Sequence, residues 1–340
     1  MARNVSTTVE TAQASGGGRT RPRRRRRWMS WVVVAFLAAW AVIRAGGLEW
    51  GSFVTQLMTL TPYGAIAALV TAAVLALRGN LVRALVAVVS CAAMAVCVLP
   101  RAFVEDTTTQ GAPLRVLSIN LFGRADPQAV VDLVRRLQPD VFSALELTHG
   151  EAAALDAAGI RALLPYQVLQ TDYGATGSGL YARHPLTELP HLFTPVGHNM
   201  PAAAMTLPGG ARVEVVAIHP NPPLGRMADE WYRALAALPA PTPDAVRVLA
   251  GDFNASLDHR ALRTLLGRGY VDAAVQAGKG LVPTWPNGRL IPPMITIDHV
   301  LVDERAGVGA AEILDVPRTD HRGVFAELRL PASLSEGRPT

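Results

Sequence analysis

The sequence predicts an α/β domain that follows three transmembrane helices. Three apolar segments, at roughly 28–47, 57–77 and 81–99, each have close to the ~20 residues that a helix needs to cross a bilayer. From residue 113 to about residue 332, short β-rich runs alternate with helical patterns, which is typical of one α/β domain. Half of the 340 residues are hydrophobic and the mean hydropathy is positive, as expected when part of a chain lies in a membrane.

A basic tail precedes the first apolar segment. Residues 1–27 carry eight Arg against Glu10, and the unbroken run from Arg23 to Arg27 adjoins the membrane segment. Because this tail begins with a stretch rich in Ser, Thr and Gly, we expect residues 1–27 to be disordered. Residues 112–340 carry a net charge of −3 and lack the basic stripe of a duplex-binding surface, which disfavours nucleic acid as a partner without excluding it.

The placement of arginine predicts how the anchor, residues 28–100, crosses the membrane. The link 78–83 carries two Arg, and the link around 49–52 carries none. The positive-inside rule puts the basic tail and the 78–83 link in the cytoplasm. Arg101, after the third span, favours the opposite orientation but is outnumbered. Three crossings then place the domain outside. We expect a multi-pass protein of the cell membrane, with the lipid bilayer as its partner and no obligate protein partner. Arg44 is expected to snorkel to the membrane interface.

The rest of the chain divides into three parts. Residues 101–112 read as a short polar linker, residues 113–332 as the α/β domain, and residues 333–340 as a polar tail. The clearest helix is 127–137, where Pro127 suits the first turn and apolar residues recur on one face. The predicted strands are 114–121, 141–147, 179–183, 212–219, 246–251, 297–302 and 324–330, and the predicted helices are 127–137, 226–238 and 257–266.

Polar residues lie at six ends of the predicted strands. A polar group at one strand end is ordinary, and Asp252 alone would fit a helix cap, but six such ends in one domain predict a shared cleft at the edge of the sheets. The candidate residues are Asn120, Glu146, His219, Asp252, Asn254, Asp298, Asp320 and His321.

The chemistry of these residue types is coherent. Glu146, Asp320 and Asp252 offer hard oxygen ligands, which suit Mg²⁺ or Mn²⁺ better than Zn²⁺. His219 and His321 can donate hydrogen bonds to a phosphate or exchange protons. Both cysteines lie in the third apolar segment, so the domain has no thiolate ligands. The other six histidines are expected to be structural or surface residues: His149, His184, His191, His198, His259 and His299.

These motifs, in this order, resemble the endonuclease/exonuclease/phosphatase superfamily, which includes DNase I-like nucleases, inositol-polyphosphate 5-phosphatases and bacterial sphingomyelinases. The resemblance covers residues 113–330, and Gly251-Asp252-Phe253-Asn254 is its most specific motif. It implies a DNase I-like fold, a four-layer α/β/β/α sandwich of two mixed sheets. It also implies a metal-dependent hydrolase of phosphate esters or anhydrides.

The resemblance implies a role for each candidate at the metal and the phosphate. Glu146 would be the principal ligand of Mg²⁺ or Mn²⁺, with Asn120 also at the metal and Asp320 near it. Asn254 would bind the scissile phosphate, and His219 would stabilise the phosphate or the leaving group.

The same resemblance leaves one role open. Asp252 would position or deprotonate the attacking water, and Asp298 would orient His321. Whether Asp252 or His321 is the general base is not decided by the sequence. Leu121 and Phe122 stand where many nucleases of the superfamily have an acidic residue, which weakens the interpretation as a nuclease.

The three-span anchor followed by this domain resembles the VanJ-type teicoplanin-resistance membrane proteins of actinomycetes. That resemblance implies a phosphorylated, lipid-linked cell-wall intermediate as substrate, such as an undecaprenyl phosphate or pyrophosphate, and a role in glycopeptide resistance. Two alternatives stay open. One is a membrane-tethered extracellular nuclease, and the other is a non-enzymatic protein that holds a phosphate headgroup.

Overall fold

The computed structural model of the protein describes residues 22–105, 111–288 and 290–332. Most of the predicted tail at 1–27 and all of the predicted polar tail at 333–340 lie outside the described residues. The first helix begins at Pro22, so residues 22–27 are helical where the sequence predicted disorder. No Gly or further Pro interrupts the run from Pro22 to Ile43, and the helix can therefore extend back into the basic run.

The anchor consists of four helices, and the prediction of three uninterrupted spans is not confirmed. Two helical segments, Trp28–Gly46 and Leu81–Ala102, are long and apolar enough to cross a membrane. The second predicted span, 57–77, covers the end of a short helix, Gly51–Met58, and the whole of the next one, Thr61–Leu77. The two helices meet at 74°, and only as one bent pair would they supply a third crossing. Pro62 lies in the first turn of the later helix, a position where proline favours the start of a new helix. The helices are α1 (Pro22–Gly46), α2 (Gly51–Met58), α3 (Thr61–Leu77) and α4 (Leu81–Val98).

Helices α1, α3 and α4 pack into a small bundle. Trp40, Met58 and Met94 are buried in its centre. A Cβ on Gly64 would lie 3.2 Å from both the Trp40 ring and the Met94 sulfur. Glycine at this position therefore lets the helices approach closely, as small residues do between helices in membranes.

The domain contains two mixed six-stranded sheets, which confirms the α/β prediction. Each sheet has one parallel pair among antiparallel ones. The first has the order β11-β12-β1-β2-β4-β3 and the second β5-β6-β7-β8-β10-β9. The strands are β1 (Pro113–Asn120), β2 (Val141–Leu145), β3 (Tyr166–Gln170), β4 (Ser178–Ala182), β5 (Thr187–Glu188), β6 (Ala202–Thr206), β7 (Arg212–Ile218), β8 (Val246–Asp252), β9 (Tyr270–Asp272), β10 (Asp298–Asp303), β11 (Gly307–Asp315) and β12 (Arg322–Arg329).

Apolar burial on both faces of each sheet produces four layers. Side chains such as Val116 and Val215 fill the space between the sheets. Val134 and Leu155 cover the outer face of the first sheet, and Trp231 covers that of the second. A sheet with two apolar faces must be covered on both, which gives the α/β/β/α order. The outer helices are α5 (Pro127–Leu137), α6 (His149–Ala157), α7 (Ile160–Leu163), α8 (Ala228–Ala237) and α9 (Arg260–Leu266), and a short helix α10 (Ala273–Gln276) follows β9.

The predicted polar linker at 101–112 is, where described, packed against the domain. A 3₁₀ turn at Leu99–Ala102 follows α4, and the Glu105 amide donates to the Gln276 carbonyl at 2.9 Å. The Arg101 carbonyl accepts a hydrogen bond of 3.1 Å from the amide of Gly280. Residues 106–110 lie outside the described part of the chain. The described part of the predicted linker, 101–105, is thus hydrogen-bonded to the domain.

A buried ion cluster, the Asp258 cluster, holds the anchor on the domain. It consists of Arg44 at the end of α1, Arg101 after α4, and the carboxylate of Asp258. Arg44 Nε lies 2.5 Å from Asp258 Oδ1, and the Arg101 guanidinium donates to both carboxylate oxygens at 2.6 and 2.9 Å. Arg44 is buried in this cluster, so the prediction that it snorkels to a membrane interface is wrong. A buried carboxylate satisfies its guanidinium better than a lipid interface would.

Helix α2 also packs on the domain. The Thr55 hydroxyl lies 2.8 Å from the Tyr232 hydroxyl, and the Thr55 carbonyl lies 2.8 Å from His259 Nε2. Just before α2, the Glu49 carboxylate accepts from the first amides of α9, where an anion is favoured by the helix dipole. Helix α2 is therefore part of the domain surface rather than the beginning of a straight span.

Candidate active site

The strand ends that carry the candidate residues meet at one edge of the two sheets. Strands β1 and β2 are parallel, as are β7 and β8, so within each pair the carboxyl ends lie side by side. Strand β10 runs antiparallel to β8, and its first residue, Asp298, pairs in register with Asp252. The structure thus brings all eight predicted residues around one cleft, lined by six of them: Glu146, His219, Asp252, Asn254, Asp320 and His321.

Asn120 joins the two sheets across the cleft. Its Nδ2 donates to Glu146 Oε1 at 3.1 Å and to Asp252 Oδ2 at 3.2 Å. Its Oδ1 accepts from the Phe122 amide at 2.9 Å. In this arrangement Asn120 holds the two carboxylates together. Its predicted role as a metal ligand, which would use Oδ1, stays a prediction.

Two of the candidates have strained backbones. Glu146 has φ 52° and Asn254 has φ 48°, in the left-handed region that residues with a Cβ rarely adopt. The Asn254 amide donates to Asp252 Oδ1 at 2.8 Å, and its Nδ2 donates to the Pro220 carbonyl at 3.0 Å. Such strain persists only where surrounding contacts impose it, and it clusters at functional sites.

A chain of hydrogen-bonding groups links Asp298, His321 and Asp252. His321 Nδ1 lies 2.9 and 3.1 Å from the Asp298 oxygens, and His321 Nε2 lies 3.6 Å from Asp252 Oδ2. Burial alone would lower the pKa of His321, but the negative charges of Asp298 and Asp252 raise it to about 10. Burial raises the pKa of Asp252 to about 7, against the opposing effect of His321. The charges of Asp298 and Asp252 therefore favour the protonated form of His321, and burial favours the protonated form of Asp252.

The acidic groups of the cleft fit a divalent cation. Burial is also the main cause that raises the pKa of Glu146. Asp252, Asp298 and His321 each offer a ligand atom, and these atoms lie within 4.8 Å of one another. Asp298 already holds His321 Nδ1, so the hard oxygens of Glu146 and Asp320 suit Mg²⁺ or Mn²⁺ better than this group does. A cation here would offset the negative charge of the buried carboxylates, which burial disfavours. Which residues bind the metal stays a prediction.

His198, which the sequence predicts to be a structural or surface residue, lines the cleft. Its Nδ1 lies 3.2 Å from His219 Nδ1, so one ring donates to the other. Burial, then the nearby His198 and His321, lower the pKa of His219 well below its ordinary value, and His219 stays neutral. The other nitrogen of His219 lies 3.8 Å from Glu146 and 3.9 Å from Asp252. His198 precedes β6 in a loop without periodicity, so no sequence signal marked it.

Two other histidines are structural, as predicted. His299 lies 2.5 Å from Asp272 and 2.8 Å from the Ala255 carbonyl, so it supports the loop after β8 from behind. His259 accepts from the Ser256 amide at 2.9 Å in the same loop. Both rings are buried and lie outside the cleft.

The cleft has a volume of about 710 Å³. Its acidic and histidine residues lie at the sheet edge, and Phe53, Leu57 and Leu60 of the anchor form part of its wall. An aromatic wall residue also contacts the acidic end, where Trp285 Nε1 donates to Asp320 Oδ2 at 3.4 Å. The N-terminal helices and the catalytic candidates therefore share one cavity.

The family model described as "Endonuclease/Exonuclease/phosphatase family" matches residues 117–321, more than half of the chain and nearly the whole domain. The chain belongs to this family. Its members are typically hydrolases of phosphate esters and depend on divalent metals. No curated protein matches the chain.

Solved structures show the same fold at low sequence identity. The endonuclease/exonuclease/phosphatase from Beutenbergia cavernae DSM 12333 is 19% identical with a TM-score of 0.50, over 64% of this chain and 72% of that one. A family protein from Leptotrichia buccalis C-1013-b is 14% identical with a TM-score of 0.50, over 64% and 100%. TDP2 of D. rerio, complexed with a single strand DNA product, is 16% identical with a TM-score of 0.50, over 64% and 99%. The matched part corresponds in extent to the domain.

Proposed function

We propose that the protein is a membrane-anchored, divalent-metal-dependent phosphoesterase that hydrolyses a lipid-linked phosphate at the outer face of the cytoplasmic membrane. The observation that carries the proposal is the cavity shared by Asp252, His321 and helix α2 of the anchor. An anchor that forms part of the catalytic cleft keeps the site beside the bilayer. This proximity raises its effective concentration for a lipid headgroup.

The residues of the cleft support hydrolysis by an activated water. Asp298 holds His321 through Nδ1, which leaves the protonated Nε2 free to donate to a phosphate oxygen or a leaving group. Asp252, with a pKa of about 7, accepts the proton of the attacking water. Neutral His219 donates a hydrogen bond to a second phosphate oxygen. When bound by Glu146 and its neighbours, Mg²⁺ or Mn²⁺ would supply positive charge to the phosphate in the transition state.

The packing of the anchor supports the predicted topology. Arg83 donates to the Ser30 hydroxyl at 2.8 Å and lies over the Trp31 ring, so the 78–83 link and the start of α1 lie together. The domain binds the other ends of α1 and α4 through the Asp258 cluster. With α1, α4 and the bent α2–α3 pair as one crossing each, the N-terminus would be cytoplasmic and the domain extracellular. Alkaline phosphatase fused after Leu330 should be active, and an inactive fusion would place the domain inside.

The catalytic proposal is tested on the full chain purified in detergent. Phosphate release is measured with Mg²⁺ and with Mn²⁺ on lipid phosphates, sugar phosphates and DNA. We expect lipid phosphates to be the best substrates and Asp252→Asn to reduce turnover by about 10²–10⁴, the usual contribution of a general base. Asp229→Asn, on an exposed helix face, is the matched control and should leave turnover unchanged. Full activity of Asp252→Asn would contradict the proposal.

A nuclease is the second candidate, because TDP2 of D. rerio, which shares the fold, was solved with a single strand DNA product. The net charge of −3 over residues 112–340 and the apolar wall of the cleft disfavour it. DNA hydrolysis that exceeds lipid-phosphate hydrolysis in the same assay would favour the nuclease.

The cell-wall role is a further part of the proposal and rests on the resemblance in architecture. If the substrate is a lipid-linked cell-wall phosphate, expression in a teicoplanin-sensitive host should raise the inhibitory concentration, and Asp252→Asn should abolish the increase. Equal protection by the variant would favour the non-enzymatic, headgroup-binding alternative.

A further inference from the structure

One part of the wall of the cleft is apolar and exposed. Phe53 on α2 is 76% exposed, and Ile291 on the facing loop is 57% exposed. Leu57, Leu60 and Met294 lie on the same wall. Contiguous exposed apolar side chains that line a groove mark a binding site for an apolar ligand or a membrane.

Hydrogen bonds hold this wall against the membrane helices. The Tyr63 hydroxyl of α3 donates to the Met294 carbonyl at 2.8 Å, which ties the facing loop to the bundle. Ser52 at the start of α2 donates to the Pro223 carbonyl and accepts from the Gly225 amide, both at 2.9 Å. The groove is therefore built from the domain and the anchor together, at the place where the chain leaves the membrane bundle.

The two ends of the cavity differ in chemistry. Among the described residues that line it, no charged or titratable side chain lies on α2, on the turn that follows α2 or in 291–297. A polynucleotide would place further phosphates along the wall, where cations would be needed. Gln56 and Thr59 also line this wall, but Gln56 Nε2 donates to Ser52 and the Thr59 hydroxyl donates to the Gln56 carbonyl, so they offer a sugar few hydrogen bonds. A hydrocarbon chain attached to one phosphate matches both ends.

We infer that helix α2 and the loop around Ile291 and Met294 bind the hydrocarbon chain of the substrate, next to its phosphate. The anchor is then a specificity element as well as a tether, since Phe53 and Leu57 contact the chain while Asp252 and His321 act on the head. This inference rests on the proposed phosphoesterase activity and adds that the anchor selects long apolar chains over water-soluble esters.

The test compares chain lengths on the full-length protein in detergent micelles. The value of kcat/KM is measured for hexadecyl phosphate and for butyl phosphate with the wild type, with Phe53→Ala and with Tyr173→Ala. Tyr173 is 85% exposed and lies outside the cleft, so it is the matched control for loss of an exposed aromatic ring. Loss of a phenyl ring that the bound hydrocarbon chain would cover should lower the ratio of long-chain to short-chain kcat/KM about tenfold in Phe53→Ala, and Tyr173→Ala should not change it.

A binding arm separates this inference from the proposed activity. Hexadecylphosphonate, which is not hydrolysed, is titrated into the same three proteins. If the wild type releases no phosphate but Phe53→Ala alone binds the phosphonate about tenfold more weakly, the groove stands and the activity fails. If the wild type hydrolyses both esters with one kcat/KM and Phe53→Ala alters neither the ratio nor the binding, the activity stands and the inference is overturned.

Discussion

Asp258→Asn should uncouple the anchor from the domain. The Asp258 side chain is fully buried, and it accepts from Arg44 and from both terminal nitrogens of Arg101. An Asn amide has no charge and only one acceptor oxygen, so it leaves two buried guanidinium groups without a counter-charge. Breaking a buried ion pair from one side costs about 3–5 kcal/mol, because the remaining charge stays desolvated.

The assay is thermal unfolding of the full chain in detergent. For a domain of this size, about 3–5 kcal/mol corresponds to a decrease in Tm of roughly 6–20 °C. Asp315→Asn is the control, because Asp315 pairs with Arg322 at 2.8 Å through a side chain that is 72% exposed. An exposed pair contributes at most about 1 kcal/mol. Hydrogen exchange of residues 47–58 should rise in Asp258→Asn and not in the control.

The same cluster predicts a dependence on pH. Burial would raise the pKa of Asp258, but the hydrogen bonds and charges of Arg101 and Arg44 outweigh it and lower the pKa below the ordinary 3.8. A group with a lowered pKa stabilises the fold above its unfolded pKa and loses that effect as the pH falls through the folded value. The difference in stability between the wild type and Asp258→Asn should therefore shrink only below about pH 3.8. A variant no less stable than Asp315→Asn at pH 7 would refute the reasoning.

Three further predictions concern the cleft. Asp298→Asn removes the main charge that raises the pKa of His321. The alkaline limb of the pH profile of kcat/KM should therefore move to lower pH, and turnover should fall by about 10²–10⁴. An alkaline limb that does not move would contradict the link between Asp298 and His321. Chelation with EDTA should abolish phosphate release, and Mg²⁺ or Mn²⁺ should restore it; turnover that survives chelation would show that no metal is needed. His198→Phe removes the hydrogen bond to His219 and should lower kcat roughly threefold to tenfold. His219→Phe should lower kcat further. Equal decreases in kcat for the two variants would mean that His198 acts directly on the substrate.

The local pattern of the sequence identified the candidate site because its signals are local. Asp252 directly ends a run of buried residues, and Glu146 directly follows another, so each could be recognised within one segment. Parallel pairing then brings the carboxyl ends of such strands to one edge of the sheet, independently of the length and conformation of the intervening loops. Strands with weak sequence patterns were missed, for example Ala202–Thr206 and Tyr166–Gln170. Alanine has little preference for strands, and a half-exposed strand shows no clear alternation of apolar and polar residues.

The sequence by itself determined the α/β class, the family and the eight residues that meet in the cleft, since strand ends and their order along the chain are sufficient for these. Only the tertiary structure decided how the anchor takes part. Arg44 and Arg101 lie 214 and 157 residues from Asp258, and within their own segments they resemble solvated or snorkelling charges. Helix α2 lies mostly before the predicted second span, and its packing on Tyr232 and its 74° bend into α3 depend on tertiary contacts. Contacts between distant segments depend on how the layers pack, which periodicity within one segment does not report.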